Sequence, residues 1–169
     1  EVQNHLISPR YGLGIIACNH DSIGGNYMLT KMMDKIPRKN AVQLLASVGV
    51  DDFSRLPDKK HVTGKEVFSV LIPKDFNFVG KSRDGSKVVI KDGELKKGYM
   101  DSSNLGSGSG LLIRNLHKEY GSEEGLKILG SIFRLGVKTL LMNGFTSAFS
   151  DIDLDEKGRK EIEDTLNNA

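Results

Sequence analysis

The sequence predicts a mixed α/β fold of the α+β kind, in which short strands and a hairpin pack with several helices. Three observations carry that reading. Thr63-Gly64-Lys65-Glu66 is a capping box, in which the threonine oxygen takes a backbone donor while the glutamate reaches back. Val88-Val89-Ile90, Asp92-Gly93 and Leu95 read as two strands joined by a tight two-residue turn. Leu126, Leu129, Phe133, Val137 and Leu140 recur along one stripe of a long helix.

The remaining elements follow in order. Residues 6 to 17 are an extended start broken at Pro9 and Gly12, with Ile15-Ile16-Ala17 as a short buried strand. Residues 20 to 33 suit a helix capped by Asp21 or Ser22, with Ile23, Tyr27 and Thr30 on one face. Gly24 and Gly25 each cost that helix about 1 kcal/mol against alanine, so they are expected to let another backbone come close. Ala41, Leu44, Leu45 and Val48 mark a second helix over 38 to 48, stopped by Gly49. Residues 50 to 62, with Pro57, read as a loop.

The capping box opens a helix of about two turns, because Pro73 disfavours helix at Ile72. Gly-Ser-Gly-Ser-Gly at 106 to 110 is a flexible loop by composition. A helix over 111 to 120 and a longer one over 123 to 142 follow. Ser122 caps the second, and Glu123 and Glu124 suit its positive end. Asn143-Gly144 ends it, residues 145 to 149 can form a strand, and a last amphipathic helix covers 156 to 166.

Composition narrows the function classes. The chain has 169 residues, 38% of them apolar, enough for one ordinary core. No stretch approaches the roughly 18 apolar residues of a membrane span, and the start lacks a signal layout. The single cysteine, Cys18, cannot pair within the chain. The net charge of +2 is too balanced to announce nucleic-acid binding in bulk. Basic groups do gather between residues 31 and 97, while 151 to 164 is acid-rich. They read either as solvated faces or as a basic surface facing phosphate.

Motifs for independent chemistry fail. Gly64-Lys65 lacks the glycine a phosphate loop needs five positions earlier, and Glu66 would repel phosphate. Asp151, Asp153 and Asp155 alternate, but Glu156 and Ile162 stand where a calcium loop needs glycine and glutamate. His5, His20, His61 and His117 show no zinc spacing. Cys18 as a nucleophile would need an oriented base, and a buried structural cysteine is the simpler reading.

Six strings in collinear order carry a family resemblance. Leu6-Ile7-Ser8-Pro9-Arg10-Tyr11-Gly12 resembles the Ile-Leu-Ser/Thr-Pro-x-x-Gly segment of the largest subunit of cellular RNA polymerases. Asn19-His20-Asp21 through Gly25, Tyr27, Leu29 and Thr30 resembles its Gln-Asp-x-x-x-Gly-x-Tyr-x-Leu-Thr helix. Thr63 to Pro73 resembles its Ser/Thr-Gly-Lys-Gln-hydrophobic-Ser-x-x-Ile-Pro segment, and Asp92-Gly93-Glu94-Leu95 with Gly98 its hairpin. Gly106 to Leu112 resembles its glycine-serine stretch, and Asn143-Gly144-Phe145-Thr146 its exit. The wording from Ile72 to Phe78 is most similar to archaeal forms.

The resemblance implies a non-catalytic part of that subunit: residues 1 to 150 as the pore domain beside the active centre, and 151 to 169 as the truncated start of a funnel domain. A pore domain helps form the channel through which nucleoside triphosphates enter and backtracked RNA is extruded. Implied partners are the rest of the subunit, the other polymerase subunits, template DNA, transcript RNA, nucleoside triphosphates and a transcript-cleavage factor, with no membrane and a cytoplasmic setting. The family holds magnesium with Asn-Ala-Asp-Phe-Asp-Gly-Asp, a string missing here, so no cofactor is expected in this chain and magnesium only in the parent enzyme. The channel-facing candidates are Arg10, Lys96, Lys97, Ser102, Ser103, Gly106, Gly108 and Gly110. Two departures bear on them. His20 replaces the usual glutamine, and Ser102-Ser103 replaces a common lysine pair. Any basic grip on RNA is then expected from Lys96 or Lys97, only one of which can face the channel if β alternation holds. A free-standing binding module that kept this fold is the alternative reading.

Overall fold

A computed structural model describes residues 5–146, 148 and 152–167. Helix α1 (His20–Met32) is central. Helix α5 (Leu111–Asn143) and helix α3 (Gly64–Val70) both pack on it. Helix α2 (Arg38–Ser47) leans on α5, and helix α4 (Ser102–Leu105) sits between α5 and a three-stranded sheet. That sheet runs β3 (Phe78–Lys81), β4 (Lys87–Lys91), β5 (Glu94–Lys97), all antiparallel. A second, two-stranded sheet pairs β1 (Ile36–Pro37) with β2 (His61–Val62), placing Ile36 opposite Val62. Helix α6 (Glu156–Asn167) closes the described chain.

The capping box forms as expected. Thr63 Oγ1 accepts from the Glu66 amide at 3.2 Å, and the Glu66 carboxylate accepts from the Thr63 amide at 2.7 Å. The hairpin turn also forms, with Asp92 and Gly93 both at positive φ (51° and 70°), the conformation a tight two-residue turn requires. Strands β1, β2 and β3 were not expected. The first two have only two residues each, too few to show a period.

Helix α1 is capped by Asn19, not by Asp21 or Ser22. Ser22 serves from the third helical position, where its hydroxyl accepts from the Asn19 amide at 3.0 Å and donates to the Asn19 carbonyl at 2.6 Å. The buried face is Ser22, Gly25, Asn26, Leu29 and Thr30, so Ile23 and Tyr27 lie to its side. The reason is close approach: a Cβ on Gly25 would stand 1.9 Å from the Gly136 carbonyl oxygen of α5, and one on Gly136 would stand 2.1 Å from the Ser22 oxygen. The expectation that the glycine pair admits another backbone therefore holds at Gly25. Gly24 faces open space. Gly64 meets α1 in the same way, its absent Cβ lying 1.8 Å from the Leu29 oxygen.

Two other expectations are corrected. Ile15-Ile16-Ala17 is not a strand; the segment makes isolated bridges through Gly14 and Cys18, and Ile15 is exposed. The α5 stripe is rotated: Gly125, Ile128, Leu129, Ile132, Leu135, Gly136 and Thr139 are buried, while Phe133 is exposed. Packing through Gly136 turns that face inward. Gly121, at φ 77°, breaks α5 where the sequence suggests two helices, and the Ser122 hydroxyl meets His117 Nε2 at 3.0 Å. Phe145, Thr146 and Ala148 form no strand, and the other residues expected in one lie outside the described residues.

Candidate functional site

Asp101 organises the segment that carries the two serines. It is buried, and it caps α4 by accepting from the Ser103 amide at 3.1 Å and the Asn104 amide at 3.3 Å. Its other oxygen accepts from the Arg83 amide at 2.6 Å, which fixes the turn between β3 and β4. Ser102 and Ser103 are half-buried on the first turn of α4. The Ser102 carbonyl accepts from the Gly106 amide at 2.8 Å and the Ser109 hydroxyl at 3.2 Å.

The glycine loop is therefore anchored. Gly106 bridges to Cys18 and Gly108 to Gly14, with the Gly108 amide 3.3 Å from the Gly14 oxygen. Gly106 and Gly110 are buried. A Cβ on Gly106 would lie 2.6 Å from the Ser102 oxygen. Gly14 also bridges to Ile7, closing the loop that displays Arg10. Arg10 is exposed, with its guanidinium 4.8 Å from the Tyr11 ring centroid. Backbone bridges and the Ser102 carbonyl thus tie the glycine loop to the serine turn and to the segment that follows Arg10.

Ser102 opens into a cleft of about 350 Å³ lined with Tyr27, Lys31, Arg83, Asp84, Tyr99 and Asp101. Lys31 Nζ stands over both rings, 4.8 Å from the Tyr27 centroid and 4.4 Å from that of Tyr99, within the range of cation–π attraction. It also donates to the Tyr27 hydroxyl at 2.7 Å. The two rings meet edge to face at 5.2 Å. The Tyr99 hydroxyl, with the Ser86 amide, draws the Asp84 carboxyl down to about 2, and the Tyr27 hydroxyl raises Lys31. Sequence reasoning missed Lys31, Arg83 and Tyr99, because they come from three separate segments.

Lys96 lies elsewhere. Val89 pairs with Lys97 and Ile90 with Leu95, so Lys96 is an extra, bulged residue. The bulge overrides strict alternation and leaves both lysines exposed. Lys96 pairs with Glu94 and lines a different cleft, with Arg55, Lys65 and Lys74. The structure does not bring it to Ser102.

Among the described residues, no three His, Cys, Asp or Glu side chains gather as a metal site. Burial pushes the Cys18 thiol up to about 11, against a smaller opposing effect of a Ser22 hydrogen bond, which leaves it a poor nucleophile. No described helix is long and apolar enough to cross a membrane.

The family model for RNA polymerase Rpb1, domain 3, matches residues 5–152. The chain belongs to the Rpb1 domain 3 family. It is similar to DNA-directed RNA polymerase subunit Rpo1N of Methanocaldococcus jannaschii, with 36% identity over 99% of the chain and 14% of the relative. The Rpo1N subunits of Methanothermobacter thermautotrophicus and Thermococcus celer are 32% and 30% identical, over 99% and 100% of the chain. The chain spans 21% and 23% of those two relatives. It therefore corresponds to one Rpb1 domain 3 and a short stretch beyond it, within a much longer kind of subunit.

Proposed function

We propose that this Rpb1 domain 3 lines the pore of a DNA-directed RNA polymerase, where nucleoside triphosphates enter and backtracked RNA is extruded. The observation that carries the proposal is the cleft at Ser102. Lys31 and Arg83 place two cations beside the serine turn in a cleft they share with Asp84 and the buried Asp101, and the glycine loop is tied to the same turn through the Ser102 carbonyl. Cations over a strand path give a salt-dependent hold on phosphate. Arg10, Ser102, Ser103 and Gly108 face the channel in this reading, with the buried Gly106 and Gly110 shaping the loop behind them, and the basic grip comes from Lys31 and Arg83 in place of Lys96. Residues 1 to 150 form the pore domain and 151 to 169 begin its neighbour, consistent with α6 having no buried side chain. Partners are the rest of the subunit, the other subunits, DNA, transcript and a cleavage factor, in the cytoplasm. The magnesium of catalysis is held by residues outside this chain, so the chain alone makes no RNA.

The test is Ser102→Lys with Ser103→Lys, and separately Lys31→Ala with Arg83→Ala, each built into the whole polymerase. The readout is the lifetime of a stalled, backtracked complex at two salt concentrations. The lysine variant should lengthen it and the alanine variant shorten it, both more strongly at low salt. Lifetimes equal to the parent's for both variants at low salt would remove this cleft from the RNA path.

A further inference from the structure

The largest cleft among those described lies away from the serine turn, between the end of α3 and the β4–β5 turn. It holds about 530 Å³ and is lined by Arg55, Lys65, Lys74, Lys96, Glu66 and Glu94, among others, a size suited to a small ligand. Its charges are not evenly spent. The Glu66 carboxylate is engaged by the Thr63 amide and Lys59, and Glu94 by Lys96. Arg55, Lys65 and Lys74 have no carboxylate within ion-pair distance among the described residues, and the cleft lining keeps a small excess of positive charge, which Asp92 on the rim and the longer-range effects of Glu94 on Arg55 and Asp52 on Lys74 offset in part.

Arg55 is the fixed point. One of its terminal nitrogens donates to the Val70 and Ile72 carbonyls, and the other donates to Gly93 at 3.1 Å. A guanidinium has five N–H donors. Three are used in clamping the end of α3 to the hairpin turn, and two remain unspent on a group that cannot swing away. Partial burial lowers the Arg55 pKa from its ordinary value, against a smaller opposing pull from the Glu94 carboxylate. A rigid planar fork with two free donors suits tetrahedral oxyanions, and lysines beside it add point charges.

We propose that this cleft binds a linear oligophosphate, with the Arg55 fork on one phosphoryl group and Lys65 and Lys74 on its neighbours. The site stands apart from the serine cleft and does not depend on the pore reading. A compact ligand is favoured over an acidic peptide because the cations converge on one concavity, whose rim at Lys59–Glu66 and Lys96–Glu94 is already neutralised by ion pairs.

The experiment titrates the 169-residue chain with tripolyphosphate, with ATP and with a hexaglutamate peptide. It reads heat of binding and amide chemical shifts at low salt, where screening is weak. Saturable tripolyphosphate binding that shifts the Lys65, Lys74 and Lys96 amides is expected. Lys65→Ala with Lys74→Ala should weaken it by about tenfold or more, as befits the loss of two charge-assisted contacts. Both lysines lie outside the buried core, so the double variant should keep the parent's circular dichroism and melting temperature. Equal affinity for ATP would identify the phosphate chain alone as the ligand; tighter ATP binding would identify a nucleotide source. The proposal is overturned by non-saturable binding, by shifts centred on Lys31 and Arg83, by a double-alanine variant that binds like the parent, or by a peptide that binds more tightly than tripolyphosphate.

Discussion

Helix α1 and helix α6 invert what their sequences suggest. Helix α1 carries two adjacent glycines and buries three polar side chains, Ser22, Asn26 and Thr30, yet it is the centre of the molecule. Helix α6 repeats apolar residues at a helical spacing, yet Ile162 and Leu166 are 47% and 71% exposed and no residue of the helix is buried. The difference shows that an apolar stripe is only an offer of burial. A matching surface at close range decides whether it is taken up, and at α1 that surface is backbone. Gly25 and Gly136 let two helices meet at a distance no Cβ permits. Asn26 then spans the joint, donating to the Ser22 carbonyl at 2.8 Å and to the Ile132 carbonyl of α5 at 2.9 Å.

The contrast can be broken most sharply at Gly25. Gly25→Ala should destabilise the chain by about 3 kcal/mol in urea unfolding, because two helix backbones must separate. A loss under about 1 kcal/mol would mean that the joint is looser than the geometry states. Asn26→Ala comes next, with a loss of about 1–2 kcal/mol from two buried hydrogen bonds. An unchanged midpoint would assign the whole joint to the glycines. Gly24→Ala should act in the opposite direction. Nothing lies within 4 Å of its missing Cβ, so the helix gains about 0.5–1 kcal/mol, read as a raised melting temperature. Leu166→Glu in α6 should be the smallest change, within about 0.5 kcal/mol of the parent. A larger loss in the isolated chain would show that α6 packs on a surface of this same molecule.

Legibility followed the same line. The capping box at Thr63, the Asp92-Gly93 turn and the extents of α1, α2 and α6 could be read because each depends on groups a few positions apart. The face of α5 could not, since Gly136 rotates the helix toward α1 and leaves only Leu129 of the expected stripe fully buried. Of the channel candidates, the two serines and the glycine loop are joined through the Ser102 carbonyl, and the loop bridges to Gly14. Lys96 does not join them, because one bulged residue in β5 sends it to another cleft. A buried acid just before a serine pair, Asp101, was the readable clue that was missed; aspartate there is a helix cap by type.

The sequence by itself determined the family, the caps, the tight turn and the absence of a catalytic string, because each is written in neighbouring residues. Only the tertiary structure decided which cations stand beside Ser102, which stand beside Arg55, and which helix faces are hidden. Lys31, Arg83 and Tyr99 share a cleft because α1, the β3–β4 turn and the segment after β5 are brought together by long-range packing. Those contacts join groups far apart along the chain, and no local period records which of them will meet.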